Sequence, residues 1–488
     1  MKPTADALLA QRAQANRDAM ALKSRQQSAA VADIGEIPAV VDSDRKELCL
    51  DDLALFLTTY FPNTTGLKPF SSDHLRAIDR IQRCILHGGL FVNAFPRGFA
   101  KTTICENATI WATLYGHRRF VPVFGAEASS AAGNIDSIKL ELSENELLAE
   151  DFPEVCHAIR ALEGKVQRCH SQTYAGVLTH IEWKADTIVL PTIPGSPASG
   201  GIITAHGITA ASRGMKHKRP DGTQQRPDFL MIDDPQTDES ASTDLQVNKR
   251  LGTIRKTLLK LGGHDRKIAA VVNATVIKPN DIVEQLLNPK KFPSWQGERI
   301  KMVKSWSKVH ETLWLTDYQN IRNTYDANVP DDQQRAHHAA TEFYQAHRTE
   351  MDAGCEVAWS HCFDPDTEVS AIQHAYNLLI DDGPEVFASE CQNEPLEERV
   401  ENEVERLTAD QIKQKLNQKP RGVVPLECTR LVAFIDVQQN VLPWGVMGFG
   451  EDFSGAVVEY GHWPEQNRSY FLKREIQPSR SLAGVTKV

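Results

Sequence analysis

The sequence predicts an α/β protein whose main body is a mainly parallel sheet covered by helices on both faces. Two observations carry this. Between about residues 90 and 280, short β-branched runs alternate with helical stretches: GLFVNAF, RFVPVFGA, DTIVLPT, GGIITAHGIT, DFLMIDDP and KIAAVVNATVI. Strands separated by helices pair in parallel, because each crossover helix returns the chain to the same end of the sheet. The second observation is a change of texture further on. Residues 311–420 are polar and mostly helical, as in VPDDQQRAHHAATEF, and NQKPRGVVPLE (417–427) has the Pro/Gly content of a linker. Beyond it TRLVAFIDVQQ, NVLPWGVMGFG and GAVVEYGHW read as three consecutive strands, a β-meander.

These textures divide the chain into an N-terminal helical or flexible arm (1–45), a core (46–310), a helical subdomain with linker (311–420) and a last module (421–488). The arm has no aromatic residue, and its apolar stripe in ADALLAQRAQANRDAMALKSRQQ is thin. A partly ordered arm or a partner-binding helix is expected there. The 488 residues have the hydrophobic content (41%) and charged content (24%) of an ordinary globular protein. No stretch approaches the roughly 18–20 apolar residues of a membrane span, and no signal-peptide core opens the chain. The nine cysteines contain no CxxC pair, which argues for a reducing compartment. Cys355 and Cys362, with His361, come nearest to a metal cluster and are read as scattered thiols. A net charge of −10 means that any contact with nucleic acid must come from local patches.

FPRGFAKTT, after the first strand, is read as a phosphate-binding loop (Pro96, Arg97, Gly98, Phe99, Ala100, Lys101, Thr102 and Thr103) opening a helix. Glycines in such a loop let backbone N–H groups approach phosphate oxygens, lysine reaches the β/γ-phosphates, and Ser/Thr binds Mg²⁺ at the helix N-terminus. Here Phe95 stands at the head of the loop and Ala100 precedes the lysine, where glycines are expected. Ala100 suits its position if its φ is negative. The alternative is a strand–turn–helix with a surface lysine. Downstream, PDFLMIDDPQ ends an apolar run in Asp233 and Asp234. Adjacent carboxylates at a buried strand's end are costly unless a cation or a catalytic task holds them there. The alternative is a turn capped by Asp233. Thr275 ends the next strand, in VVNATVIKPNDIVEQLL.

PFSSDHLRAIDRIQ, PRGFAKTT, the strand and helix of VPVFGAEASSAAGNIDSIKLELSENELLAEDFPEV, GGIITAHGITAASRGM, RPDFLMIDDPQ, TVIKPNDIVEQLL and EVFASECQNEPL occur in that order. The set resembles the large subunit of tailed-phage terminases, the motor that packages DNA into a procapsid, over most of residues 65 to 465. The resemblance implies a P-loop ATPase core followed by an RNase H-like nuclease domain. It puts Lys101 and Thr102 on phosphate and Mg²⁺, Asp233 on the metal, Asp234 where the family often has the catalytic Glu, and Thr275 at a position coupling hydrolysis to motion. Arg97 or Arg213 would supply transition-state charge, and PFSSDHLRAIDRIQ would help seat the adenine. Three departures stand out: Ala100 for Gly, Asp234 for Glu, and Val276-Ile277-Lys278 for Arg-Trp-His. It further implies ATP, with Mg²⁺ or Mn²⁺ for the nuclease. Its expected partners are double-stranded viral DNA, a small subunit, a portal protein and sister copies in a ring. The expected location is the host cytoplasm, transiently at the portal.

For the nuclease, LVAFIDVQQN places Asp436 inside an apolar first strand, where a metal ligand explains a carboxylate better than packing does. Glu459 on the third strand is a possible second ligand. The sequence ends at Val488, short of the roughly 100–150 residues of such a domain, so an incomplete nuclease is expected. SRGMKHKRP (212–220) gathers Arg213, Lys216, Lys218 and Arg219 into a patch suited to phosphates, or into a solvated basic loop. Two other functions compete: a helicase-like DNA-dependent ATPase outside packaging, and a non-catalytic DNA-binding or assembly protein with a decayed ATP site.

Overall fold

A computed structural model describes residue 20 and residues 32–210, 214–219, 221–263, 267–396, 409–438, 440–451, 454–466, 476 and 478–485. The chain divides into two compact units, Met1–Glu397 and Glu398–Val488. Most of the expected arm, and Arg213, lie outside the described residues.

In the first unit helix α1 (Ser72–His87) leads into strand β1 (Leu90–Ala94), helix α2 (Lys101–Leu114), strand β2 (Phe120–Gly125) and helix α3 (Ala128–Glu144). Strands β3 (Glu182–Lys184), β4 (Thr187–Val189), β5 (Ile202–Gly207) and β6 (Phe229–Asp233) follow. Then come helix α4 (Asp244–Lys256), β7 (Ala269–Ala274) and β8 (Trp295–Arg299). The eight strands form one sheet in the order β8-β1-β7-β6-β2-β5-β4-β3. All pairings from β8 to β5 are parallel, whereas β4 and β3 extend the sheet antiparallel. The mainly parallel sheet expected from the alternating runs is therefore present, with a two-stranded antiparallel edge.

Period-two alternation builds a core on each face. Phe91, Met231 and Val271 point to one side, where they pack with Ile104 and Trp111 of α2 and with Ile135 of α3. Val92, Ile232 and Val272 point to the other, against Val247, Leu251 and Ile254 of α4. Each such side chain, fully buried, contributes about 1.5–3 kcal/mol. Burial on both faces explains why β6 and β7 read as near-continuous apolar runs. It also makes their polar interruptions informative. Asn93 pairs in register with Asn273, which pairs with Asp233 on the far side. Asn93 Nδ2 donates to Asn273 Oδ1 (2.9 Å), and Arg80 donates to Asn93 Oδ1 (3.1 Å), so these buried amides are satisfied across the sheet.

The polar stretch after residue 310 is helical, including α5 (Asp332–Ala346) and α6 (Ala371–Val386). It encloses an aromatic core in which Trp314 and Tyr376 stack with centroids 4.0 Å apart. Asn393 fastens this part to the sheet side: its Oδ1 accepts the Val276 N–H (2.7 Å) and its Nδ2 donates to the Ile300 carbonyl (2.8 Å). The second unit holds the expected meander, strands β9 (Arg430–Ile435), β10 (Leu442–Phe449) and β11 (Gly455–Trp463), antiparallel in that order. Among the described residues no helix is long and apolar enough to cross a membrane.

Candidate functional site

The loop after β1 is held by its bulky residues. Phe95 and Phe99 are fully buried, and His74 of α1 stacks on both, with centroids 5.6 and 5.5 Å away. The His74 ring lies 3.3 Å from the Phe99 carbonyl through Nε2 and 2.8 Å from Ser71 Oγ through Nδ1. These partners assign the proton to Nε2, and burial pushes the imidazole down to about 4, so it is neutral. The Phe95 N–H donates to the Ala274 carbonyl (2.9 Å). The phenylalanine at the head of the loop thus serves as an anchor, with Pro96 buried beside it.

The condition of a negative φ at Ala100 is not met. Gly98 has φ +80° and Ala100 has φ +53°, ψ +20°, the left-handed region that glycine favours. The turn demands that conformation, and alanine's single methyl tolerates it at roughly 1–2 kcal/mol. Helix α2 then begins at Lys101 with no side chain capping it. Its first-turn N–H groups, near Thr102 and Thr103, and the positive end of its dipole face the loop's concavity.

Lys101, Asp234 and Thr275 come together. Lys101 Nζ lies 3.1 Å from Asp234 Oδ2 and donates to Thr275 Oγ1 at 3.1 Å. The Thr275 hydroxyl donates to the Phe95 carbonyl (3.2 Å), and its N–H donates to Asp234 Oδ1 (3.3 Å). Asp234 has φ +40°, a strained turn directly after β6. Asp233, at the strand's last position, is buried. Burial and the Asp234 charge push its carboxyl well above the usual range, against hydrogen bonds from Thr102 and Asn134 and the charge of Lys101. Asp233 Oδ1 is enclosed without a hydrogen-bond partner among the described residues.

Two cavities flank the loop. One of about 270 Å³ is lined by Arg97, Lys101, Asp234 and Thr275. The other, of about 560 Å³, is lined by Gly98 and Ala100 together with Lys68, Phe70, Trp359 and His374. Arg97 is mostly exposed; its N–H donates to the Glu390 carbonyl (2.7 Å) and its guanidinium lies 3.4 Å from the Glu390 carboxylate. Sequence reading missed Asn134, Glu390, Trp359 and Glu106. Burial pushes Glu106 up to about 7, with the Asp233 charge adding to it. Only Glu106 had a local signal, one helical turn after Thr102; the others reach the site from distant segments.

The basic patch is only partly described: Lys216 and Lys218 are exposed and Arg219 half-buried, while Arg213 lies outside the described residues. In the second unit, Asp436 is not inside the strand. β9 ends at Ile435, every residue of β9 is exposed, and Asp436 is exposed as well, accepting a hydrogen bond from Gln438 (2.6 Å). Burial therefore does not account for a carboxylate there. Glu459 does not join it. The Asp436 N–H donates to the Pro443 carbonyl, level with His462, whereas Glu459 is level with Val446 and Ala433. Three residues separate the two levels, so alternation sends the carboxylates to opposite faces. Glu459 instead pairs with Arg421. Among the described residues no group of three or more His, Cys, Asp or Glu could hold a metal ion, and Cys355 and Cys362 are free thiols.

The doubly covered parallel sheet, with a glycine-bearing loop after β1 and an acid pair after β6, is a mainly parallel α/β core, followed in the chain by a β-meander. Residues 385–478 match the family described as the terminase large subunit gpA, endonuclease domain. Three solved structures are similar to this chain, each at a TM-score of 0.31. The large terminase of the thermophilic bacteriophage D6E is 11% identical, covering 81% of this chain and 69% of that one. The bacteriophage HK97 large terminase is also 11% identical, covering 86% and 68%. A mutant large terminase ATPase domain from a Thermus phage is 13% identical, covering 68% and 96%. No curated protein matches the sequence.

Proposed function

We propose that this chain hydrolyses ATP to drive double-stranded viral DNA into a procapsid, working with a small subunit and a portal as one copy of a ring in the host cytoplasm. The observation that carries the reading is the loop's place between two cavities, one polar and holding Lys101, Asp234 and Thr275, the other walled by aromatic rings. Such a division suits a nucleotide whose phosphates lie along the loop and whose base sits against Phe70 and Trp359.

In that reading Lys101 exchanges the Asp234 carboxylate for phosphate oxygens. The N–H groups that open α2, with no side chain over them, receive phosphate charge. Asp234, released from Lys101, is free to orient the attacking water and take its proton, and Thr275 senses the change because its N–H and hydroxyl touch Asp234 and Lys101. Arg97, exposed at the mouth of the polar cavity, is the residue assigned to charge on the transferring group. Arg213 is retained as the alternative donor.

Asp233 fits a divalent cation. Its Oδ1 is enclosed without a partner among the described residues, and an unpaired buried carboxylate oxygen is costly. Asp233 and Thr102 would hold Mg²⁺, which supplies charge neutralisation at the phosphates. Asp436 and Glu459 do not fit a shared two-metal site, and no cutting step is derived from them.

The test is ATP turnover with and without double-stranded DNA, for the wild type and Lys101→Ala. DNA-stimulated turnover lost in the variant is expected. Turnover that is absent, or independent of Lys101, defeats the proposal.

A further inference from the structure

Asp234 sits in a turn that its own sequence opposes. Its φ of +40° lies in the left-handed region, which a residue with a side chain enters at a cost. Pro235 follows it, and a proline ring pushes the residue before it toward extended backbone. The conformation therefore has to be held from outside. On the upstream side the Asp234 N–H donates to the Asn273 carbonyl (3.0 Å), and its carboxylate accepts the Thr275 N–H (3.3 Å). On the downstream side Pro235 has no N–H, so its carbonyl is the one main-chain polar group by which it can be held.

Arg250 of α4 takes that carbonyl. Its Nη1 donates to the Pro235 carbonyl at 3.0 Å and to the Ala126 carbonyl, just beyond β2, also at 3.0 Å. One amino group, through its two protons, thus ties together the ends of the neighbouring strands β6 and β2. Helix packing fixes the reach, because Val247 and Ile254, on the same face of α4 as Arg250, are buried against the sheet. Arg250 itself is half-buried. Burial pulls its guanidinium below the ordinary value, and the Glu127 charge offsets this only in part. Arg250 lines neither of the two cavities beside the loop.

We infer that Arg250 is a positioning residue for the proposed hydrolysis: by gripping the Pro235 and Ala126 carbonyls it keeps Asp234 in the turn from which its carboxylate meets the attacking water. The inference rests on the reading of Asp234 as the group that orients that water and takes its proton. With the grip lost, Asp234 relaxes toward the extended backbone that a following proline favours. Its carboxylate then leaves Lys101 and Thr275, and the water loses its base.

The experiment is a double-mutant cycle on the full chain. ATP turnover and nucleotide Kd are measured for the wild type, Arg250→Gln, Asp234→Asn and the double variant. Arg250→Gln is expected to lower kcat about ten-fold or more, while nucleotide binds as in the wild type or tighter because Lys101 loses its anionic partner. In the Asp234→Asn background the same change should lower kcat less than about two-fold, since no carboxylate is left to position. Arg250→Lys keeps the charge and the reach without the planar fork, so a loss of about three-fold is expected. That variant runs through the same cycle if Arg250→Gln does not fold. A residue that merely supports the fold would lower kcat by the same factor in both backgrounds and weaken nucleotide binding as well. That pattern, or kcat unchanged in both Arg250 variants, overturns this inference alone. A wild type without ATP turnover defeats the reading of Asp234 and this inference with it.

Discussion

Lys101 Nζ stands 3.1 Å from Asp234 Oδ2, with the lysine side chain only 13% exposed. The cation that should meet phosphate is thus neutralised by the carboxylate that should meet water. Removing that carboxylate has opposite effects on the two steps. Asp234→Asn is expected to bind ATP as tightly as the wild type or a few-fold tighter, because Lys101 no longer has an anionic competitor. Turnover in the same variant falls by about 10²-fold or more, as loss of a general base does. Paired measurements of nucleotide Kd and kcat check this; a parallel loss of both would mean that Asp234 only holds the lysine in place.

At Ala100 the prediction concerns backbone strain. Its φ of +53° places a methyl where glycine is at ease. Ala100→Gly relieves about 1–2 kcal/mol of left-handed strain and gives back about 0.5–1 kcal/mol in unfolded-chain entropy. A small net rise in the unfolding midpoint is expected, with ATP turnover retained. Ala100→Val, branched at Cβ, moves in the other direction by about 1–3 kcal/mol. Calorimetry on the three proteins decides; a lower midpoint for the glycine variant would contradict the strain account.

His374 gives a pH prediction. It lines the aromatic cavity, and its Nδ1 lies 2.8 Å from Glu368 Oε2. Burial works against its charged form, but hydrogen bonds to Cys362 and Glu368, with the Glu368 charge, outweigh this and raise it to about 9. The folded protein therefore holds a proton that the unfolded chain releases near 6.5. The resulting stabilisation is complete below pH 6.5 and disappears as pH rises through about 9. His374→Gln should remove that slope, so the wild-type advantage, roughly 1–3 kcal/mol at pH 6, vanishes near pH 10. Denaturant titrations at both pH values measure it.

What could be read beforehand follows from how local each feature is. The sheet was legible because β6 and β7 are buried on both faces, which forces uninterrupted apolar runs that no solvent-facing strand keeps. Lys101, Asp234 and Thr275 were legible because each sits at the end of such a run, where the sheet's order β1-β7-β6 brings loops together. The sign of φ at Ala100 was not, since it depends on Phe95 and Phe99 being pinned by His74 from another helix. Asp436 differs for a related reason: apolar neighbours in sequence suggest burial, yet Leu431, Phe434 and Ile435 are all more than half exposed. Alternation alone, applied to the paired strands, separates Glu459 from Asp436, but only once the register is known.

Arg97 supplies the last prediction. Its guanidinium is 76% exposed and sits 3.4 Å from the Glu390 carboxylate, while its backbone N–H is tied to the Glu390 carbonyl at 2.7 Å. An exposed ion pair of this kind contributes about 0–1 kcal/mol. The backbone bond survives any side-chain change. Arg97→Ala should therefore leave the unfolding midpoint within about a degree of the wild type, and so should Glu390→Gln. Their effects on turnover then separate two roles. If Arg97 meets charge on the transferring phosphate, Arg97→Ala lowers kcat by about 10²-fold or more with little change in nucleotide Kd, whereas Glu390→Gln, which frees the arginine, leaves kcat the same or higher. If the pair matters only as a strut, both variants change turnover alike, and the arginine has no part in the chemistry.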